Sequence, residues 1–345
     1  MNQFKIGNRI VDKYHRPLVI AEIGINHNGN LSIAKEMVDS AKRAGVEVVK
    51  IQTHVVADEM SKEAKKVIPG NSEKSIYQIM EECALTFEEE AELKQYIEKN
   101  GMYFLSTPFS RAAALQLEEL GVDAYKIGSG ECNNHPLVKL VASFGKPMII
   151  STGMNDINSV RKTEKIVKKA GVPYCFLHTT NLYPTPTHLV RLGAMQEMMN
   201  EFQGVEIGLS DHTTSNLACF AAVALGANIL ERHFTDSMTR QGPDIVNSMD
   251  EVACRELIEG SKEISLMRGG KKIAADEESV TIDFAFATVV TTADIKKGDI
   301  LTENNIWVKR PGLGEINAEH YDSILGKTIT CDLKADEHIS WDNIK

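Results

Sequence analysis

Short runs that are apolar almost throughout alternate along this chain with longer segments whose apolar positions recur every three or four residues. The runs are Leu18–Asn26, Val46–Thr53, Met102–Phe109, Ala124–Ser129, Pro147–Gly153, Pro173–Asn181, Glu206–His212 and Asn228–Thr235. Continuous apolar runs of this length suit parallel strands buried on both faces, and the periodicity between them suits amphipathic helices. Helical patterns include Leu31–Ala44, Phe87–Asn100, Arg111–Leu120, Val160–Ala170 and Asp250–Met267. Glycines at 45, 101, 121, 145 and 171 precede a following run, where a left-handed residue ends many helices. Eight strand–helix units predict an α/β fold of the (β/α)8 TIM-barrel type. A doubly wound open sheet is the alternative, weakened because no GxGxxG follows the first strand.

The pattern changes at both flanks. Phe4–Ile6 and Arg9–Val11 around Gly7-Asn8 read as a hairpin within residues 1–17, placed to cap the barrel floor. The barrel occupies 18–270. One interval inside it, from Thr53 to the helix at Phe87, is long enough to expect a functional loop. Residues 271–287, polar to about Thr281, read as a linker, and 288–345 as a small β-rich domain of short strands and tight turns.

Charge and composition narrow the function. The chain has 345 residues with 38 Lys+Arg against 48 Asp+Glu, a net −10, which argues against nucleic-acid binding. It leaves room for an anionic substrate, because a few lysines can converge in one cleft of an acidic protein. No apolar stretch approaches the roughly 20 residues of a membrane span, and no secretory signal pattern opens the chain, so no membrane partner and a cytoplasmic location are expected. The cysteines at 83, 132, 175, 219, 254 and 331 form no CxxC pair and read as buried free thiols.

Catalytic groups of such barrels sit at the C-terminal ends of strands, and here those ends are polar. His212 and His233, on adjacent strands, could share one divalent ion such as Mn²⁺, completed by water and substrate oxygens. The alternative is that one of them is a hydrogen-bonded core histidine. Glu22, Asp211 and Glu231 are further possible ligands or supporting groups. Lys50 and Lys126 would face the barrel mouth, where a buried ammonium calls for an anionic partner. With Thr107, Ser129, Ser151 and Asn181 they suit a phosphate or carboxylate; a structural ion pair and a Schiff-base lysine are the rival roles.

At these residues the chain resembles the bacterial sialic acid synthases, the phosphoenolpyruvate-condensing N-acetylneuraminate synthases, over essentially its full length. The resemblance rests on Glu22–His27 (EIGINH), Val67–Asn71 (VIPGN), Leu105–Ala113 (LSTPFSRAA), Tyr125–Asn134 (YKIGSGECNN), Asn181–Pro186 (NLYPTP), Gly208–Thr213 (GLSDHT), Glu231–Asp236 (ERHFTD), Gly242–Val246 (GPDIV), Asp283–Ala287 (DFAFA) and Trp307–Gly312 (WVKRPG). It implies a C-terminal antifreeze-like (SAF) domain that covers the partner's active site in a domain-swapped homodimer. It implies His212 and His233 as ligands of Mn²⁺, with Mg²⁺ or Co²⁺ as other options. Lys126, Thr107, Ser129, Ser151, Asn181 and Ser210 would bind phosphoenolpyruvate. Lys50, Gln52, Asn71, Glu131, Tyr183 and Asp244 would surround N-acetylmannosamine, Glu22 would act as acid or base, and Arg310 would reach the acetamido group from the other protomer. The implied reaction is attack of phosphoenolpyruvate C3 on the sugar aldehyde, water addition at C2, and loss of phosphate by C–O cleavage from a tetrahedral intermediate. Many relatives have His where this chain has Ile51; by alternation that residue points away from the barrel lumen.

A sibling reaction is open: an N,N'-diacetyllegionaminate synthase acting on 2,4-diacetamido-2,4,6-trideoxymannose. A two-histidine metal hydrolase would leave both lysines without an anion. An ice-binding role for the small domain is disfavoured by its charged Lys309-Arg310 turn.

Overall fold

The computed structural model describes residues 4–68, 73–242 and 244–345. Two compact units divide it, Met1–Gly269 and Gly270–Lys345. In the first, eight parallel strands form the barrel: β1 (Leu18–Gly24), β2 (Val48–Thr53), β3 (Tyr103–Pro108), β4 (Tyr125–Ile127), β5 (Met148–Ser151), β6 (Tyr174–Thr179), β7 (Glu206–Asp211) and β8 (Ile229–His233). The ladder runs β3-β2-β1-β8-β7-β6-β5-β4, and β3 and β4 lie against each other to complete the ring. The apolar runs overshoot the ladders by up to two residues at their C-terminal ends, where the chain leaves the sheet in polar turns.

Period-two alternation sorts the side chains. Leu18 and Ile20 of β1, Val48 of β2, Leu105 of β3, Ile149 of β5, Leu177 of β6 and Ile229 of β8 pack together inside the ring. Their neighbours Val19, Ala21, Val49, Ile51, Phe104 and Ile150 face outward into the layer beneath the helices. Ile51 therefore lies behind the sheet, while Lys50 and Gln52 face the lumen. Farther along each strand, the inward-facing positions become polar. The antiparallel hairpin of Lys5–Ile6 with Arg9–Ile10 packs Phe4, Ile6 and Val11 into the same inner cluster from below.

The surrounding helices carry their own start and stop signals. In Leu31–Ala44, Ala34, Met37, Val38 and Ala41 form the buried stripe expected of an amphipathic helix. Asn30 caps its N-terminus, and Gly45 ends it at φ 92, a conformation that costs a side-chain-bearing residue. Thr86 and Glu89 form a capping box on Phe87–Lys99. The long interval after β2 is partly helical, with Val56–Glu59 and Ile76–Cys83. Among the described residues no helix is long and apolar enough to cross a membrane.

In the second unit, β9 (Thr288–Thr291) pairs antiparallel with β10 (Ile306–Lys309). Val289, Ile295, Leu301, Ile306, Ile316, Ile324, Ile329 and Ile339 form its core. The segment expected as a linker contains a helix, Ser279–Ala285, preceded by a turn at Asp276–Glu278. Three acidic residues there favour a helix N-terminus, and the Glu278 carboxylate accepts the Ala275 N–H at 2.7 Å.

Candidate active site

The strand register sets the site. Glu22 on β1 is level with Lys50 on β2 and with His233 on β8, and Glu231 on β8 is level with Ser210 on β7. All five are buried at the barrel mouth. Lys50 Nζ lies 2.6 Å from Glu22 Oε2 and 3.8 Å from Glu231 Oε1, and it donates to Thr107 Oγ1 at 3.3 Å. Lys126 Nζ is 3.1 Å from Glu231 Oε1, which also accepts the Ser210 hydroxyl at 3.1 Å. The anionic partner expected for the two lysines is thus supplied by two carboxylates of the chain, forming a four-membered cage of opposed charges. Such charges are held in a low-dielectric interior only when paired.

The two carboxylates differ in their affinity for a proton. Burial raises Glu22 to about 7 against the opposing pull of Lys50. Glu231, although also buried, is held down at about 2 by Lys126, Lys50 and its hydrogen bonds. One acid therefore exchanges a proton near neutrality, and its neighbour stays ionised, a division typical of acid–base sites.

His212 and His233 stand with ring centroids 5.4 Å apart. His212 Nδ1 lies 3.0 Å from the Thr180 carbonyl, which fixes the proton there and leaves Nε2 as the lone-pair nitrogen. Buried His233 Nδ1 has no hydrogen-bond partner and lies 3.6 Å from Asp244 Oδ2. Burial lowers the two imidazoles to about 4 and about 3, so both are neutral donors at pH 7. This arrangement fits a divalent ion held by two nitrogens and completed by oxygen ligands from outside the chain. Among the described residues no cluster of three or more His, Cys, Asp or Glu side chains forms a closed metal site. Asp211, a sequence candidate for such a ligand, points the other way: it accepts Thr213 N–H and O–H bonds and lies 3.4 Å from buried Arg232. Alternation accounts for this, because 210 and 231 face the lumen while 211 and 232 face the helices.

Most of the other expected residues converge on the same cavity. Ser129 accepts the Gly153 N–H at 3.1 Å, and a Cβ on Gly153 would fall 1.8 Å from Asn181 Oδ1, so glycine makes room for that amide. Ser151 Oγ, Thr179 Oγ1, Asn181 Oδ1 and Glu231 Oε2 are buried without a partner. Unsatisfied polar atoms are rare in native interiors, and their gathering at one place marks a ligand position. Tyr183 stacks on His212 at 4.2 Å.

Of the three remaining expected residues, one belongs to the described barrel and does not line the cavity. Glu131 turns to Asn134 at 2.5 Å, Arg310 is exposed at the end of β10 in the second unit, and Asn71 lies outside the described residues. Sequence reasoning placed Glu231 among possible ligands or supporting groups, and its parity with His233 signals the lumen position it occupies. His54, not among the expected site residues, has Nδ1 2.8 Å from Glu59 and Nε2 3.1 Å from Gln52 Oε1. Gln52 in turn donates to Glu22 Oε1 at 2.9 Å, so a hydrogen-bonded line runs from Glu59 to the central acid.

Known proteins share this arrangement of chain and fold. The chain is 36% identical to N,N'-diacetyllegionaminic acid synthase of Campylobacter jejuni, over 94% of this chain and 99% of that protein. It is 31% identical to N-acetylneuraminate-9-phosphate synthase of Homo sapiens, over 96% of this chain and 93% of that protein. The crystal structure of N-acetylneuraminic acid synthetase from Leptospira borgpetersenii serovar Hardjo-bovis superposes with a TM-score of 0.75 at 26% identity, covering 81% of this chain and 95% of that one. The NeuB family model matches residues 37–273, and the SAF domain model matches 286–345. The chain therefore belongs to the NeuB family, as an enzyme related to the sialic and legionaminic acid synthases, with a SAF domain following its barrel.

Proposed function

We propose that this enzyme joins phosphoenolpyruvate to the aldehyde of an open-chain 2-acetamido sugar, with water, and releases phosphate and a nine-carbon 2-keto acid. The observation that carries this reading is the convergence of Lys50, Lys126 and a set of unpartnered hydroxyl and amide groups beside two neutral imidazoles. Lys126, Thr107, Ser129, Ser151, Asn181 and Ser210 bind phosphoenolpyruvate, with Lys126 turning from Glu231 toward the anion. His212 and His233 hold a divalent cation, Mn²⁺ first, which when bound supplies Lewis-acid polarisation of the aldehyde. Lys50, Gln52, Asn71, Glu131, Tyr183 and Asp244 surround the sugar.

Carbon–carbon bond formation leaves positive charge at C2 of the former phosphoenolpyruvate. Water adds there, and C–O cleavage expels phosphate from the tetrahedral intermediate. Glu22, titrating near 7, gives a proton to the developing hydroxyl or takes one from the attacking water. The ionised Glu231 and the two lysines keep the charge balance around it. A domain-swapped homodimer, with Arg310 of the partner subunit on the acetamido group, completes this reading; the exposure of Arg310 supports it.

N-acetylmannosamine is the simplest acceptor and yields N-acetylneuraminate. The second reading, 2,4-diacetamido-2,4,6-trideoxymannose yielding N,N'-diacetyllegionaminate, draws support from the 36% identity to the Campylobacter jejuni synthase. Incubation with Mn²⁺, phosphoenolpyruvate and either sugar tests the reaction class: phosphate appears in step with a 2-keto acid only when a sugar is present. Bond cleavage without phosphoenolpyruvate would instead identify a hydrolase.

A further inference from the structure

The hydrogen-bonded line that ends on Glu22 has a direction. Gln52 donates from Nε2 to Glu22 Oε1 at 2.9 Å, while Lys50 Nζ lies 2.6 Å from Glu22 Oε2. On its other end, Gln52 Oε1 lies 3.1 Å from His54 Nε2, and His54 Nδ1 lies 2.8 Å from Glu59 Oε2. Of these four residues only Gln52 and Glu22 line the catalytic cavity. A primary amide has one accepting and one donating end of nearly the same shape, so either end of Gln52 fits beside Glu22. Turned over, the amide would set its carbonyl oxygen against a carboxylate oxygen, and the acid would lose its donor. What selects the donating end is the group on the far side of the amide.

That group is His54. The Glu59 carboxylate and the Gln52 carbonyl can only accept, so the ring donates from Nδ1 to one and from Nε2 to the other. The positive charge this gives the ring is balanced by Glu59. The imidazole is also held in place: its side chain is 2% exposed and lies flat on Phe109, with ring centroids 4.7 Å apart and planes within 10° of parallel. Glu59 closes the short helix Val56–Glu59. Asp58 of the same helix accepts the Ala112 N–H at 2.7 Å, which ties it to the helix Arg111–Glu119 after β3.

On the condensation reading above, we infer that His54 and Glu59 are positioning residues for the acid–base step. Glu59 holds the His54 ring, His54 holds the Gln52 carbonyl, and the Gln52 NH2 thereby keeps the Glu22 carboxylate aimed at the reacting atoms. Neither His54 nor Glu59 touches a reactant in this arrangement. Loss of the His54 donor frees the amide to turn, and Glu22 then loses one of the two contacts that fix its plane. Misplacing a group at the reacting centre by about 1 Å costs about a hundredfold in rate.

The test is a double-mutant cycle on kcat in the full-length enzyme, with Mn²⁺ and saturating phosphoenolpyruvate and sugar. His54→Leu should lower kcat about a hundredfold and leave the KM of phosphoenolpyruvate within about twofold. His54→Gln, whose amide nitrogen can stand where Nε2 stands, should recover at least about tenfold of that loss. In the already slow Gln52→Leu background, His54→Leu should cost less than about threefold, because His54 acts through Gln52. An equal loss in both backgrounds would reduce His54 to a structural role and overturn the inference. An unchanged kcat in His54→Leu, or a change confined to the KM of phosphoenolpyruvate, would overturn it as well. Should His54→Leu fail to fold, Glu59→Gln runs the same cycle, with a loss of about tenfold that vanishes beside Gln52→Leu. Absence of phosphate release by the unaltered enzyme, with N-acetylmannosamine or the diacetamido sugar, would overturn the condensation reading and this inference with it. A working parent whose kcat ignores these substitutions would overturn the inference alone.

Discussion

Lys126 Nζ lies 3.1 Å from Glu231 Oε1, a buried ion pair at the mouth of the barrel and on the path proposed for a substrate phosphate. Removing one partner of such a pair leaves an uncompensated buried charge, a loss of about 3–5 kcal/mol. Lys126→Ala should therefore lower stability by about 3 kcal/mol in urea unfolding and raise the KM for phosphoenolpyruvate at least tenfold. The double variant Lys126→Met with Glu231→Gln should regain most of the stability and none of the substrate affinity. Recovery of both properties would place the phosphate elsewhere.

The imidazole pair makes a prediction about metal alone. His212→Ala or His233→Ala should weaken Mn²⁺ binding, read by calorimetry without substrates, by at least about a hundredfold, since losing even a supporting hydrogen bond costs about 10- to 100-fold. Affinity unchanged in both variants would move the ion to another site.

Asp211 tests the sorting of faces. Its carboxylate is bound to Thr213 and lies 3.4 Å from Arg232, which also donates to Asn216 at 2.6 Å and to the Thr213 carbonyl at 2.8 Å. Asp211→Asn should leave Mn²⁺ affinity within about twofold while destabilising the fold by about 2–3 kcal/mol, the scale of a broken buried charge contact. A large loss of metal affinity in a folded variant would return Asp211 to the ligand set.

Glu90 gives a pH signature away from the chemistry. It is a buried residue of the helix Phe87–Lys99, accepts the Thr53 hydroxyl at 3.0 Å, and is pushed by desolvation from 4.5 up to about 8. The folded protein holds a proton there that the unfolded chain releases above 4.5. This contribution is intact below 4.5 and is lost progressively as pH rises to about 8, at up to about 1.4 kcal/mol per pH unit. Glu90→Gln should match the parent near pH 5 and exceed its stability by a few kcal/mol at pH 8, measured by urea unfolding at both values. Parallel stability curves would mean that Glu90 is ionised in the folded state.

The barrel was legible in the sequence because its strands are buried on both faces and its helices on one, so two periodicities alternate without ambiguity. His212 and His233, Lys50 and Lys126, and the Ser129, Ser151 and Asn181 group fall where alternation and strand ends put them. The partners of these groups were harder to read. Glu22 and Glu231 meet the lysines across strands far apart in the chain, and only the register of β8 on β1 and β7 reveals the contact. His54 and Glu59 lie beyond the end of β2, where period two no longer applies. The helix at Ser279–Ala285 was hidden because its sequence is polar at the start and its apolar side chains are largely exposed, so no clear buried stripe marks it.

The small hairpin below the barrel has a bearing on traffic. Phe4, Ile6 and Val11 pack onto Leu18, Ile20, Leu105 and Ile229, and this inner cluster fills the ring beneath the charged residues. A through-channel is thereby blocked. In the condensation proposed above, both reactants would arrive, and phosphate and the 2-keto acid would depart, by the same opening at the top. Whichever reactant settles deepest has to enter first and its remnant leave last, so the order of binding and release is dictated by depth in a vessel with a sealed bottom.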